Sequence, residues 1–279
     1  MEQVIKSPER LAMIEKIKEL ERLGIFDKDV ENDPEGKVLM PDDIEYLDKS
    51  IMARIKRCFA FMTANSYFKK ALKNKQIIIN DVVGLENLSS VEGAIITCNH
   101  FNPFDSFVMQ HVFRLSKHKK RMYRVIREGN YTSFGGFFGF LMRNCDTLPL
   151  SSNTATMKKF YNAVGKALKE KNCVLVYPEQ SMWWNYRKPK PLKNGAFHMA
   201  VKNNVPVVPV FITLEDSDII GEDGFPVQIY TPHIGKPIFA EPALNKVDAI
   251  EQMKEDNYNY FKSVYENFYN QPLNYTTEK

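Results

Sequence analysis

From about residue 76 onward the chain repeats one pattern, and that pattern restricts the fold more than any other feature. Short apolar runs at about 76–80, 94–98, 121–126, 146–150, 173–177, 207–213 and 227–230 are separated by helically spaced stretches near 104–115, 134–143, 154–170 and 193–203. Several runs are apolar throughout rather than alternating, as strands are when both faces of a sheet are covered. Strands alternating with helices imply a parallel component and right-handed crossovers. The expected fold class is α/β: a mixed, largely parallel sheet flanked by helices, with one more helix over about 246–269.

Two helices are expected ahead of the sheet. Ser7, Pro8 and Glu9 supply an N-cap, a proline at the first helical position and an early acid, and Met13, Ile17 and Leu20 follow at helical spacing. A polar loop is expected over about 27–38. The second helix is expected to begin near Pro41, with an apolar stripe of Ile44, Leu47, Ile51, Ile55, Phe59 and Met62. From Lys49 to Lys75 there are eight basic residues and no acidic one, interleaved with Met52, Phe61, Tyr67 and Phe68. Such a segment either packs on a core with a solvated charged face or lies in the interface of an anionic membrane. At such a surface each cation contributes about 1 kcal/mol. The expected division is a helical membrane-docking element over residues 1–75 and an α/β domain over residues 76–279.

Composition narrows the function classes. A net charge of +4 with no nucleic-acid module signature gives no reason to expect nucleic acid as a partner. Cys58, Cys98, Cys145 and Cys173 are far apart, mostly in apolar runs, and read as reduced thiols rather than a disulfide or zinc framework. His111, His118, His198 and His233 lack carboxylates at metal-binding spacing, so no metal is expected. The chain has no G-x-S-x-G elbow, Walker-type loop or G-x-G-x-x-G. It shows no secretory pattern at its start and no run of about 18 apolar residues, and reads as cytoplasmic.

The stretch Ile-Thr-Cys-Asn-His-Phe-Asn-Pro-Phe-Asp-Ser-Phe at 96–107 ends an apolar run, turns, and opens an amphipathic helix. βα turns hold side chains in fixed geometry, and histidine suits proton transfer near neutral pH. His100 and Asp105 are thus a candidate catalytic pair. On spacing alone, Asp105 is equally an N-cap for a helix from Ser106, and His100 a buried histidine bonded to a carbonyl. Arg143 closes a glycine- and phenylalanine-rich segment, where a cation suits a helix C-terminus. Glu179, after Tyr177-Pro178, either faces a ligand or caps a turn.

Their order is more specific than any one of them. His-x-x-x-x-Asp at 100–105, Arg143, Pro178-Glu179 and Val205-Pro206-Val207-Val208-Pro209-Val210 follow at intervals of about 30 to 40 residues. This resembles the four blocks of the glycerolipid acyltransferase family, the lysophosphatidic acid acyltransferase-like group, over roughly residues 75–240. Asn99-His100 and Asn102-Pro103-Phe104-Asp105-Ser106 match the first block closely. The second block is matched loosely through Gly139, Phe140 and Arg143. The third departs from the family's Phe-Pro-Glu-Gly-Thr-Arg-Ser: here it reads Tyr177-Pro178-Glu179-Gln180-Ser181-Met182-Trp183, without the glycine and the arginine.

The resemblance implies transfer of a fatty acyl group from acyl-CoA or acyl carrier protein, as co-substrate and with no cofactor, to a lyso-lipid hydroxyl. His100 would be general base and Asp105 its orienting acid, with Arg143, Glu179 and Ser181 toward substrate. The family associates the missing arginine with the acceptor's phosphate. The following Trp183-Trp184-Asn185-Tyr186-Arg187-Lys188 could restore a clamp through Arg187 or Lys188, since arginine suits bidentate phosphate contact. The aromatic residues could instead wall a different acceptor or anchor at a membrane. The expected partners are the acyl donor, the lyso-lipid and an anionic membrane surface, on its inner face.

Overall fold

The computed structural model describes residues 5–31 and 36–278. The strands are β1 (Ile78–Ile79), β2 (Ile95–Cys98), β3 (Met122–Ile126), β4 (Thr147–Pro149), β5 (Cys173–Val176), β6 (Val207–Ile220) and β7 (Pro226–Ile234). The helices are α1 (Pro8–Arg22), α2 (Ile51–Lys73), α3 (Leu85–Ser89), α4 (Asp105–Leu115), α5 (Glu128–Thr132), α6 (Gly136–Asn144), α7 (Thr154–Lys169), α8 (Gly195–Asn203) and α9 (Lys246–Tyr269). Among the described residues the strands form one sheet in the order β1-β7-β6-β2-β5-β3-β4. Its body, β6-β2-β5-β3-β4, is parallel; β7 runs antiparallel to β6 and carries β1 parallel to itself.

The runs without alternation are the strands buried on both faces, β2 and β5. Alternate residues divide between two cores. Ile96, Cys98, Met122 and Leu175 pack with α4 and the end of α2, whereas Ile95, Tyr123, Val174 and Val176 pack with α7, α8 and α9. The mixed, largely parallel α/β sheet expected from the sequence is the fold observed.

The N-terminal region differs from expectation in three respects. The second helix begins at Ile51, not near Pro41, where there is only a single 3₁₀ turn over Pro41–Asp43. The stronger start signal lies downstream: the Ser50 hydroxyl accepts the Ala53 N–H at 3.1 Å, and Leu47 sits at positive φ. Ile44 is buried and Leu47 packs on the core, but the part of the apolar stripe on α2 does not face a core. Ile51, Met52, Ile55, Phe59 and Met62 are 53 to 76 % exposed, and α2 buries only Ala60, Phe68 and Ala71. Finally, α1 and α2 dock separately. Ile17 and Leu20 of α1 pack with Val30 and Trp183, while Phe59 and Tyr67 of α2 meet aromatic rings of α6.

Of the loop expected over 27–38, residues 32–35 lie outside the described residues, as do residues 1–4 at the start of the chain. The helix expected near 134–143 is α6, which opens at Gly136 with a positive φ; the short α5 ahead of it was not expected. No helix among the described residues is long and apolar enough to cross a membrane.

Candidate active site

The parallel strands end together, and the turns beyond β2 and β5 meet there, where α/β sheets place ligands. Asn99 launches the first turn. Its side-chain amide takes the place of a strand residue, accepting the Ile212 N–H at 2.8 Å and donating to the Ile212 carbonyl at 3.0 Å. Beyond it the Asn102 side chain accepts the Phe104 N–H at 2.9 Å, and its amide donates to Tyr230 Oη at 2.7 Å and Asn185 Oδ1 at 3.0 Å. The loop is therefore held from three directions.

Asp105 does not cap α4. The helix begins at Asp105 itself with Phe104 at the cap position, and the Asp105 carboxylate bonds His100 Nδ1 instead. That carboxylate is almost fully buried while the imidazole keeps partial exposure. With Nδ1 on the acid, Nε2 is left to face a substrate proton. The His100 ring stacks on Tyr177, with centroids 4.3 Å apart, and Tyr177 Oη bonds Ser106 Oγ at 2.9 Å. Burial, with Asp105 nearby, raises the Tyr177 phenol well above its ordinary range and keeps it protonated.

Glu179 supports the histidine's main chain. One carboxylate oxygen accepts the His100 N–H at 3.2 Å and the other the Lys190 N–H at 2.9 Å. The buried Lys190 ammonium lies 3.9 Å from Glu179, over the Trp183 ring, and donates to the Ser181 carbonyl at 2.6 Å and hydroxyl at 2.8 Å. Burial pushes the Glu179 carboxyl up, and pushes the Lys190 ammonium down to about 8 despite the facing acid. Ser181 in turn donates to the Phe26 carbonyl at 2.7 Å. Both Glu179 and Ser181 are thus internal struts rather than substrate contacts.

A cavity of about 930 Å³ opens at His100 and Asp105 and wraps the carboxyl ends of β3 and β5. On one face of the sheet it runs along α4 past Phe61, Phe68, Phe107, Gln110, His111 and Arg124; on the other it reaches Val125, Leu150, Phe160, Tyr161, Val176 and Met199. Between the arms Asp29 forks onto Arg127 at 2.5 and 2.7 Å, and Asp27 meets Lys193 at 2.9 Å.

Three residues expected near substrate lie outside the cavity lining. Arg143 is exposed and donates to the Tyr131 and Phe134 carbonyls, both at 3.0 Å, closing the turn between α5 and α6. Arg187 pairs with Asp216 at 2.7 Å, and Lys188 with Glu21 of α1 at 2.6 Å. The aromatic insertion is neither wall nor membrane anchor. Trp183 is buried and donates to the Lys28 carbonyl at 2.8 Å, Trp184 packs on Phe225, and Tyr186 donates to Glu21 at 2.9 Å. The insertion binds α1 because its polar tips find partners there.

The sequence reading missed Tyr177 as the surface under the imidazole, Lys190 as the partner of Glu179, and Gln110, Arg124 and Arg127 as cavity residues. Arg124 alone carried a visible signal, a charge in the middle of an apolar strand.

A partly exposed imidazole oriented by a buried carboxylate stands on the turn after a central parallel strand, beside a largely apolar cavity, and can accept a proton from a group held there. Residues 80–213, the stretch that holds the four blocks, match the family model described as Acyltransferase. Among solved structures the fold is similar to that of the 1-acyl-sn-glycerophosphate (LPA) acyltransferase PlsC from Thermotoga maritima. The TM-score is 0.51 at 17 % identity, covering 78 % of this chain and 84 % of that one. Among curated proteins nothing matches the sequence.

Proposed function

We propose that this protein transfers a fatty acyl group from a thioester of coenzyme A or acyl carrier protein to the hydroxyl of a lyso-lipid, 1-acyl-glycerol-3-phosphate being the first candidate. The observation that carries the reading is the Asp105–His100 pair at the mouth of a two-armed cavity. The acceptor hydroxyl donates to His100 Nε2, which takes its proton as the oxygen attacks the thioester carbonyl. Asp105 holds the tautomer and stabilises the imidazolium. Collapse of the tetrahedral adduct breaks the C–S bond, and the imidazolium returns the proton to the departing sulfur. The acceptor oxygen is itself the nucleophile, so no acyl-enzyme is required. A placed base contributes about 10²- to 10⁴-fold, and positioning in the cavity supplies much of the remainder.

The work site in this reading is the inner, anionic membrane surface. Support comes from the exposed apolar residues of α2, continued by Phe137 and Phe138 of α6, and from the exposed cations Arg54, Lys56, Lys69, Lys70 and Lys73 on the same helix. In this reading the α4-side arm of the cavity lies next to the lipid.

The deciding experiment measures thioester consumption with and without lyso-acceptors. Wild-type protein consumes thioester only when an acceptor is present, and His100→Ala shows no turnover with an unchanged melting temperature. Near wild-type turnover in His100→Ala would rule the mechanism out.

A further inference from the structure

The reaction proposed above does not itself say what holds the polar head of the acceptor. The third block lacks its arginine, and Arg187 and Lys188 are held by Asp216 and Glu21 away from the cavity. Two cavity cations are matched to acids as well, Lys193 with Asp27 and Arg127 with Asp29, while Arg114 is exposed to solvent and donates to Asn65 at 2.9 Å.

Arg124 is different. It lies on β3 on the α4 side of the sheet, only 7 % exposed, and lines the cavity. Its Nη1 donates to the Cys145 carbonyl at 2.9 Å and more weakly to the Met122 carbonyl at 3.4 Å, and its Nη2 to Gln110 Oε1. The guanidinium carbon stands 5.8 Å from the Phe61 ring. Every one of these partners is neutral. The neighbouring Asp146 carboxylate forms its ion pairs with Arg57 at 3.7 Å and Arg121 at 3.8 Å; it acts on Arg124 through space, and among the described residues no acid stands in ion-pair contact with Arg124.

A guanidinium carries five N–H donors in a rigid fork and stays charged even when buried. Buried charge without a counter-charge is unfavourable, so an anion reaching Arg124 gains both a partner and a site already desolvated. The distance suits a small head group. Gln110, which aims Arg124, lies five residues beyond Asp105 on α4, about 7.5 Å along the axis. That is on the scale of a phosphorylated three-carbon polyol whose free hydroxyl rests on His100.

Resting on the acyltransferase reading, we propose that Arg124, aimed by Gln110 and the Cys145 carbonyl, receives the anionic head of the acceptor. The acceptor is then a lyso-lipid with a phosphate monoester rather than an uncharged one. Arg124 would take over the charge that the third block has lost, from β3, the strand next to β5 in the sheet.

The test compares lysophosphatidate with monoacylglycerol as acceptors, in mixed micelles with one acyl-CoA, for wild type, Arg124→Gln, Arg124→Lys and Gln110→Leu. Wild type is expected to favour lysophosphatidate. In Arg124→Gln the ratio of kcat/KM for lysophosphatidate over monoacylglycerol should fall by at least about tenfold, through KM. Arg124→Lys should fall between, keeping charge without the fork, and Gln110→Leu should shift the ratio the same way by less. Gln110→Leu keeps the charge and removes only its aim, so it decides the matter should Arg124→Gln fail to fold. A wild type indifferent to the phosphate, parallel losses for both acceptors, or a change confined to the thioester KM would each overturn the proposal while leaving the acyltransferase reading standing. No transfer to either acceptor, nor to any other lyso-lipid, would remove that reading and this proposal together.

Discussion

Replacing Lys190 by methionine separates the charge of the buried strut from its bulk. The native ammonium has two bonds to Ser181, a place over Trp183 and the facing Glu179 carboxylate. Methionine occupies similar volume and keeps an apolar stem, so packing changes little. Glu179 still receives the His100 and Lys190 backbone N–H groups, but sits in the interior with no cation. Breaking a buried pair from one side costs about 3–5 kcal/mol. At roughly 2–4 °C per kcal/mol for a chain of this size, the melting temperature should fall by roughly 6–20 °C. The double variant Glu179→Gln/Lys190→Met removes the stranded charge and should recover most of that loss, a coupling that thermal unfolding of the four proteins measures directly. The pH dependence has a definite sign. Burial raises the Glu179 carboxyl above its ordinary 4.5, and losing Lys190 raises it further. The folded form of the single variant then binds more protons than the unfolded form above pH 4.5, so its stability falls as pH rises through the raised value. Its deficit against wild type is therefore smaller at pH 5 than at pH 7.5. A single variant melting within about 2 °C of wild type, or two single losses that simply add, would refute the buried-pair account.

Other perturbations separate the roles assigned above. Asp105→Asn should lower kcat by about 10²- to 10⁴-fold in steady-state acyl transfer with little change in either KM, because it spoils the tautomer rather than binding. Arg187→Ala should leave acceptor KM within about twofold, since its ion pair is exposed and outside the cavity; a selective rise for phosphorylated acceptors would restore the clamp expected from the sequence. Ile51→Asp/Ile55→Asp should abolish flotation with anionic liposomes while leaving the melting temperature within about 2 °C, as both side chains are exposed.

The sheet was legible because burial on both faces writes itself into β2 and β5 as unbroken apolar runs. The orientation of α2 was not: spacing shows that Ile51, Ile55 and Phe59 share a face but is silent on whether that face meets a core or the outside. At the site, His100 and Asp105 were found because both belong to one short turn. The ambiguity between cap and catalytic acid was resolved only by the direction of one carboxylate. Arg187 and Lys188 were misplaced because proximity in sequence to the third block says nothing about which acids α1 and β6 present to them. Lys190 shows the reverse failure. A lysine between two prolines reads as solvated, and only the fold of the insertion carries it beneath Trp183 and against Glu179.

The passage of the cavity around the carboxyl end of the sheet governs the order of events in the proposed reaction. Its arms lie on opposite faces of the sheet, so two long tails can be accommodated together without competing for one compartment. Ser106, the hydroxyl next to the pair in sequence, is engaged with Tyr177, and Cys98 is closed within the core. The acyl group then passes directly within a ternary complex. Double-reciprocal plots should intersect rather than run parallel, and a single molecule joining both tails through a non-reactive thioester mimic should bind far more tightly than either half, because the second tail engages at the effective concentration set by the first.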